Sequence, residues 1–214
     1  MTSILSRVAL VLLLLGLLAG CSGLLHSGPE KQYYMLQAQR NQAVSQEKQG
    51  GILRVQPFSI SQAFEGQQLV IRTEQGKFVS DYRRRFLSPA QGMFTELTRN
   101  WLNQSGLFGH VLLRETEAVQ ADYYLQGRID SLYVDKRQQQ PKTVLKLEFL
   151  FLSRQDKGLQ ILGQKSMRQE SELQELSASE AIQAWSQDLE LILQDLEKSL
   201  QGWLQHNPRR LPPE

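Results

Sequence analysis

A long helical pattern near the C-terminal end of the chain constrains the fold most. Ser177 and Glu180 form a capping-box pattern at its start, and Asn207-Pro208 marks its end. A helix with one apolar face needs another surface on which to bury it. We expect residues 207–214, beyond the helix, to be a disordered tail. Apolar side chains recur at steps of three or four residues, which is helical spacing, at Ile182, Trp185, Leu189, Ile192, Leu196, Leu200 and Trp203.

Alternating segments before this helix predict a β-sheet as that surface. Residues 122–135, 143–154 and 159–169 each alternate apolar and polar side chains over part of their length. Short polar turns connect them, which favours hairpins between consecutive strands. Gly127 lies on the apolar face of the first segment and indicates either a bulge or a close backbone approach.

The N-terminal half predicts shorter strands and a second helix. Ser88-Pro89 suits the N-cap and first position of a helix, and Gly106 suits its C-terminal cap. The order of strands, helix, strands, helix predicts an α+β fold: an antiparallel β-sheet with two amphipathic helices packed on one face. We assign residues 32–206 to a single domain. The short strands are expected at residues 33–36, 51–60, 68–73, 77–82 and 110–114.

Residues 1–20 have the layout of a signal peptide. Arg7 supplies the positive charge, and the apolar run that follows is shorter than the roughly 20 residues a membrane-spanning helix needs. The leader ends in Leu-Ala-Gly before Cys21, which resembles the bacterial lipobox and implies cleavage there and lipid attachment on the cysteine thiol. Residues 21–31 are then a lipidated N-terminus and tether. An uncleaved anchor, or an ordinary signal peptide with an incidental cysteine, is the alternative.

The side chains available for chemistry are few. Cys21 is the single cysteine, and His26, His110 and His206 are scattered along the chain. We therefore predict no enzyme activity, no metal site and no cofactor other than the covalent lipid. With 24 basic against 22 acidic side chains, the chain lacks the basic excess of a nucleic-acid-binding protein.

Arg83, Arg84 and Arg85 form the one dense charge run. The run falls between a predicted strand and a predicted helix. It is a candidate contact for lipid headgroup phosphates or for an acidic partner surface. The alternative is a solvated loop without a partner.

Several segments resemble the ABC-type transport auxiliary lipoproteins, over most of the mature chain. The likeness lies in structural rather than catalytic motifs. Members often carry tryptophan or tyrosine shortly before the proline that opens the first helix. Phe86 takes that place here, after the arginine run, so a contact made by that ring is not carried over. The matching segments are Tyr33-Tyr34-Met35-Leu36, Val70-Ile71-Arg72, Phe78 to Tyr82, and Leu97 to Phe108.

The resemblance implies a non-enzymatic part in lipid transport between inner and outer membranes. An MCE-domain protein, its membrane components and outer-membrane lipid would be the partners. Ser22, rather than Asp, follows the cysteine, which by resemblance to sorted lipoproteins implies the periplasmic face of the outer membrane. The alternative is a structural assembly lipoprotein that binds or plugs an outer-membrane β-barrel. Homo-oligomer formation, the lipid and the direction of transport stay open.

Overall fold

The computed structural model describes residues 30–43, 50–112 and 118–206, and its main compact unit begins at Gln32. The described residues form nine strands and two α-helices, with a short 3₁₀ turn at Gln62–Phe64. The helices are α1 (Ala90–Ser105) and α2 (Ala178–His206). The strands are β1 (Gln32–Tyr34), β2 (Ile52–Val55), β3 (Ser59–Ile60), β4 (Gln68–Arg72), β5 (Phe78–Phe86), β6 (His110–Val111), β7 (Tyr123–Asp135), β8 (Lys142–Gln155) and β9 (Gly158–Glu172).

The long strand β7 is the centre of the sheet. On one side it pairs antiparallel with β8, which pairs antiparallel with β9. On the other side, three short strands follow one another along its edge, and β2, β3 and β4 are all parallel to it. Beyond them lie β6, parallel to β2, and β5, antiparallel to β4. The strand β1 pairs in parallel with the far edge of β5.

The predicted antiparallel sheet is therefore wrong in one half, because the sheet is mixed. Hairpin connections do give antiparallel pairs between β4 and β5 and along β7, β8 and β9. Between β4 and β7, however, the chain passes through α1, so these strands are not joined by a hairpin. A crossover of that length can return the chain in its original direction, which makes the pairing parallel.

Both helices cover the same face of the sheet. Trp101 of α1 and Trp185 of α2 are buried in one apolar cluster with Leu125, Leu147 and Phe149 of the central strands. The apolar stripes that predicted the two helices are the surfaces that close this core. On the opposite face of the sheet, the buried apolar residues form two smaller clusters.

The helix ends agree with the sequence patterns in part. Gly106 adopts a left-handed conformation (φ 70°) after α1, as predicted. Ser88 does not cap that helix, because Pro89 takes the N-cap position with extended backbone. At α2, the Ser177 hydroxyl accepts the Glu180 backbone N–H at 3.2 Å, which is one half of the predicted capping box.

Two glycines allow aromatic rings to approach the sheet backbone. A Cβ atom at Gly127 would lie 2.2 Å from the Phe58 ring, which explains this glycine as a close approach. A Cβ atom at Gly163 would lie 2.1 Å from the Trp203 indole. That indole also stacks on Phe151, with ring centroids 6.1 Å apart. Trp203, the last residue of the predicted apolar stripe, is partly buried and packs against the core.

Candidate functional site

The arginine run lies in a strand rather than in a loop. Residues Arg83, Arg84 and Arg85 belong to β5, which continues to Phe86. The interpretation of the run as a solvated loop is therefore wrong. The predicted end of this strand at residue 82 was too early because three consecutive charges interrupt the alternating pattern of its sequence.

A large β-bulge interrupts the strand at the arginines. Leu69 of β4 pairs with Asp81, but the preceding residue, Gln68, pairs with Arg85. Three residues, 82–84, therefore have no partner on β4 and project from the ladder. Bulges of this kind occur at sheet edges and beside functional sites, where they redirect side chains.

Asp81 holds the bulge in place. Its Oδ1 atom accepts the backbone N–H of Arg83 at 3.0 Å and that of Arg84 at 3.2 Å. Its Oδ2 atom accepts Nη1 of Arg84 at 3.2 Å. Asp81 is not among the candidate residues predicted from the sequence, although an Asp two positions before a turning backbone is a known signal for such a hydrogen bond.

The three arginines have different surroundings. Arg83 is exposed, and its guanidinium lies 6.0 Å from the centre of the Tyr82 ring. Arg84 is 42% exposed beside Asp81. Arg85 donates Nη2 to the Gln67 side chain at 3.2 Å. The run therefore presents two outward cations, whereas the third arginine is bound to Gln67, the residue just before β4.

Exposed apolar side chains surround the bulge. The outer edge of β5 pairs with β1 only at residues 84–86, so among the described residues no strand covers the edge at 78–83. An open strand edge with exposed apolar groups is a surface suited to pairing with another chain. The side chains that are 46–57% exposed on these two strands and in the segments that follow them are Tyr33, Met35, Phe78, Val79, Tyr82 and Leu87.

A small apolar pocket of about 10 Å³, with room for about one water molecule, lies between the β4–β5 ladder and the start of α2. Asp81 and Arg84 are two of its three polar lining residues, and Ser177 is the third. The basic bulge and the pocket therefore share two residues. The apolar lining comes from Leu69, Ile71, Val134, Leu176, Ala178 and Ala181.

A second pocket, of about 170 Å³, has a lining of polar and charged residues. It lies at the β7–β8 turn and is lined by Asp135, Arg137, Gln138 and Lys142. The hydrogen bond from Arg137, at 2.7 Å, holds the pKa of the Asp135 carboxyl below its usual value. Lys142 is paired with Glu170 of β9. The charges of this pocket thus offset one another.

The described part of the chain holds no group of three or more His, Cys, Asp or Glu side chains suited to a metal ion. His110 is exposed at the start of β6. None of the described helices combines the length and apolarity needed to cross a membrane. Cys21 lies outside the described residues, and its lipidation stays a prediction.

Comparisons with known proteins agree with this architecture. The model of a family described as "ABC-type transport auxiliary lipoprotein component" matches residues 34–197. Protein XCC0632 from Xanthomonas campestris superposes with a TM-score of 0.69 at 15% identity, covering 82% of this chain and 98% of that one. The hypothetical protein CT253 from Chlamydia trachomatis gives a TM-score of 0.54 at 8% identity, with 74% and 99% covered. At these identities the two structures show a shared fold alone. No curated protein matches the chain.

Proposed function

The chain belongs to the ABC-type transport auxiliary lipoprotein family, and from this premise we propose that it is a non-enzymatic component of an MCE-type system that moves phospholipid between membranes. The family match over residues 34–197 carries this proposal, because it spans nearly all of the sheet and most of α2. In this role the protein joins a periplasmic conduit to the outer membrane. The absence of a motif for catalysis in the sequence agrees with a binding role.

The lipid on Cys21 anchors the protein in this proposal. A diacylglycerol supplies two acyl chains, and two chains give stable membrane attachment where one gives marginal binding. Residues 22–31 then link the anchor to the domain that begins at Gln32. Ser22 directs the lipoprotein to the periplasmic face of the outer membrane.

The anchor is tested by two substitutions. Cys21→Ala removes the thiol, so incorporation of labelled palmitate and recovery in the outer-membrane fraction should both be lost. Ser22→Asp keeps the thiol, so palmitate incorporation should persist while the protein is retained in the inner membrane. Palmitate labelling of the Cys21→Ala protein would refute the lipidation site.

The open edge of β5 is the surface that we assign to the transport partner. It offers a strand edge at residues 78–82 that no other described strand covers, exposed rings at Phe78 and Tyr82, and a cation at Arg83. An extended segment with acidic side chains suits this edge, since it can add a strand to the sheet and neutralise the arginine.

Site-specific photo-crosslinking in native membranes tests this surface. A photoreactive residue at Tyr82, 57% exposed on β5, should capture an MCE-domain protein. The matched control is Leu191, 50% exposed on α2, which should not. Equal capture from both positions, or none from Tyr82, would argue against the docking edge. Capture of an outer-membrane barrel protein from Tyr82 would instead favour the assembly function.

A further inference from the structure

The segment that follows β1, residues 35–43, lies along α2, and we call it the strap. The Gln37 backbone N–H donates to the Ser186 hydroxyl at 3.1 Å. The Gln39 backbone N–H donates to the Glu190 carboxylate at 2.8 Å. These two acceptors are four residues apart on α2, so they lie on the same face of that helix. The strap is therefore bound to one side of α2 in a defined register.

A buried ion pair holds the C-terminal part of the strap. Arg40 donates from Nε and Nη2 to the two carboxylate oxygens of Glu197, at 3.0 and 2.9 Å, and its side chain is 3% exposed. The same guanidinium donates to the backbone carbonyls of Gln42 and Ala43, at 2.7 and 3.0 Å. Trp101 of α1 donates its indole N–H to the Glu197 carboxylate at 2.9 Å. The strap, α1 and α2 thus meet at this carboxylate.

The ion pair decides where the strap binds, because the rest of the strap has little apolar contact. Leu36 is its one member of the buried apolar cluster. Hydrophobic burial is non-directional, so one such side chain gives a weak preference for a single position along a helix. Removing one partner of a buried ion pair leaves the other charge uncompensated, which is strongly unfavourable. Arg40 is therefore the strap residue whose loss should release the segment.

We propose that the Arg40–Glu197 ion pair sets the length of free chain between the lipid and the domain. This inference rests on the proposed lipidation of Cys21. With the strap bound, the first residue paired in the sheet is Gln32, which is opposite Arg84 of β5. Gln32 is 11 residues after Cys21, and a chain of that length spans at most about 40 Å.

Release of the strap would lengthen this free chain almost threefold. Without the strap, β1 is attached by three residue pairs at a sheet edge, which is the kind of terminal contact that opens readily. The first firmly paired residue would then be Ile52 of β2, 31 residues after Cys21, and the free chain can span up to about 110 Å. The ion pair matters for the proposed function because a protein that joins a conduit to a membrane has to stay close to that membrane.

Hydrogen–deuterium exchange of the purified lipoprotein tests the role of the ion pair. Arg40→Gln should speed exchange of the strap amides, those of Gln37 and Gln39 included, at least about tenfold. Amides of β7 and β8 should keep their wild-type rates. The matched control is Arg128→Gln, which removes a 53% exposed arginine near Asp130 and should leave exchange of the strap unchanged. Wild-type exchange of the strap in Arg40→Gln would overturn the proposal.

Energy transfer in proteoliposomes tests the length of the free chain. A donor dye is attached at Ile161→Cys, 60% exposed on β9, and acceptor dyes are attached to lipid headgroups. The native cysteine, Cys21, carries the lipid on its sulfur and does not react with the dye. A chain with about 20 Gly and Ser residues inserted after Lys31 keeps the ion pair and supplies the low transfer efficiency of a long tether. Arg40→Gln should lower the efficiency to that value, and Arg128→Gln should match the wild type.

Wild-type transfer efficiency in Arg40→Gln, together with a lowered efficiency in the insertion variant, would also overturn the proposal. If Arg40→Gln fails to fold, Arg40→Lys replaces it. Lysine keeps the charge and loses the paired donors, so exchange of the strap should still be faster than in the wild type.

Failure of this proposal is distinguishable from failure of the proposed function. In the first case, exchange of the strap does not respond to Arg40→Gln, while Cys21 still incorporates palmitate and the photoreactive residue at Tyr82 still captures the MCE-domain protein. In the second, palmitate incorporation or that capture is missing in the wild type. The exchange response to Arg40→Gln would then persist, because the ion pair lies within the domain itself.

Discussion

Asp81→Ala removes the three hydrogen bonds that hold the β5 bulge, two from backbone N–H groups and one from the Arg84 guanidinium. Both backbone bonds end on Oδ1, whereas the guanidinium bond ends on Oδ2. Asp81→Asn is therefore a matched control. It retains an oxygen for the two N–H groups and removes only the charge that faces Arg84.

The expected change in the free energy of unfolding of each variant follows from how exposed these groups are. A hydrogen bond contributes a net 0.5–1.5 kcal/mol, so two partly exposed N–H bonds are worth about 1.5 kcal/mol together. The ion pair has side chains that are 19% and 42% exposed, and such surface pairs are worth about 0.5 kcal/mol. Asp81→Ala should thus lower the free energy of unfolding by about 2 kcal/mol, and Asp81→Asn by about 0.5 kcal/mol.

Urea unfolding of the purified lipoprotein measures both variants, with tryptophan fluorescence as the signal. All three tryptophans, Trp101, Trp185 and Trp203, lie in the described domain. Capture of the partner from Tyr82 should fall in Asp81→Ala and persist in Asp81→Asn, because only the first loses the bulge. Equal loss of stability in the two variants would refute the conclusion that the two hydrogen bonds to Oδ1 stabilise the bulge.

Four further expectations concern stability and can be checked by the same unfolding assay. Gly163→Ala should lower the free energy of unfolding by about 1–3 kcal/mol, because its Cβ atom would meet the Trp203 indole. An unchanged free energy of unfolding would contradict that contact. Gly202→Ala, in α2 with no atom within 4 Å of the new Cβ, should instead stabilise by about 0.5–1 kcal/mol. Glu197→Gln should lower the free energy of unfolding by about 3 kcal/mol, because it removes the negative charge paired with the Arg40 guanidinium, whose side chain is only 3% exposed. A loss below about 1 kcal/mol would contradict this reasoning. Burial raises the pKa of Asp188, so its contribution to stability is greatest below the unfolded pKa of about 3.9 and is lost as the pH rises through the folded pKa. The unfolding free energy of the wild type minus that of Asp188→Asn should therefore increase as the pH falls from neutral, and a constant difference would exclude this linkage.

Local patterns were sufficient for most elements of secondary structure. The stripe from Ile182 to Trp203 predicted α2, and Gly106 predicted the end of α1. These signals depend on residues a few positions apart, so they survive in any tertiary arrangement. The prediction of a single strand over residues 51–60 was wrong, because the structure divides this segment into β2 and β3. Pro57, which has no N–H group, lies in the gap between β2 and β3.

The direction of strand pairing was not available from those patterns. An alternating segment has a buried face whether its neighbour runs parallel or antiparallel, so β2, β3 and β4 carry no mark of their shared partner β7. Short turns decide the hairpins, but pairing across a helix depends on how the whole chain packs.

The arginine run likewise has some features that the sequence determines and others that depend on the tertiary structure. The amino-acid sequence by itself determined that Arg83–Arg85 are consecutive cations beside a strand and that Cys21 ends a leader of the lipobox type. Only the tertiary structure decided that Asp81 folds the run into a bulge and that Arg84 borders an apolar pocket. The physical reason is how far apart along the chain the interacting residues lie. Charge and periodicity are properties of neighbours along the chain, whereas the pocket requires α2, almost a hundred residues later, to place small side chains opposite β4.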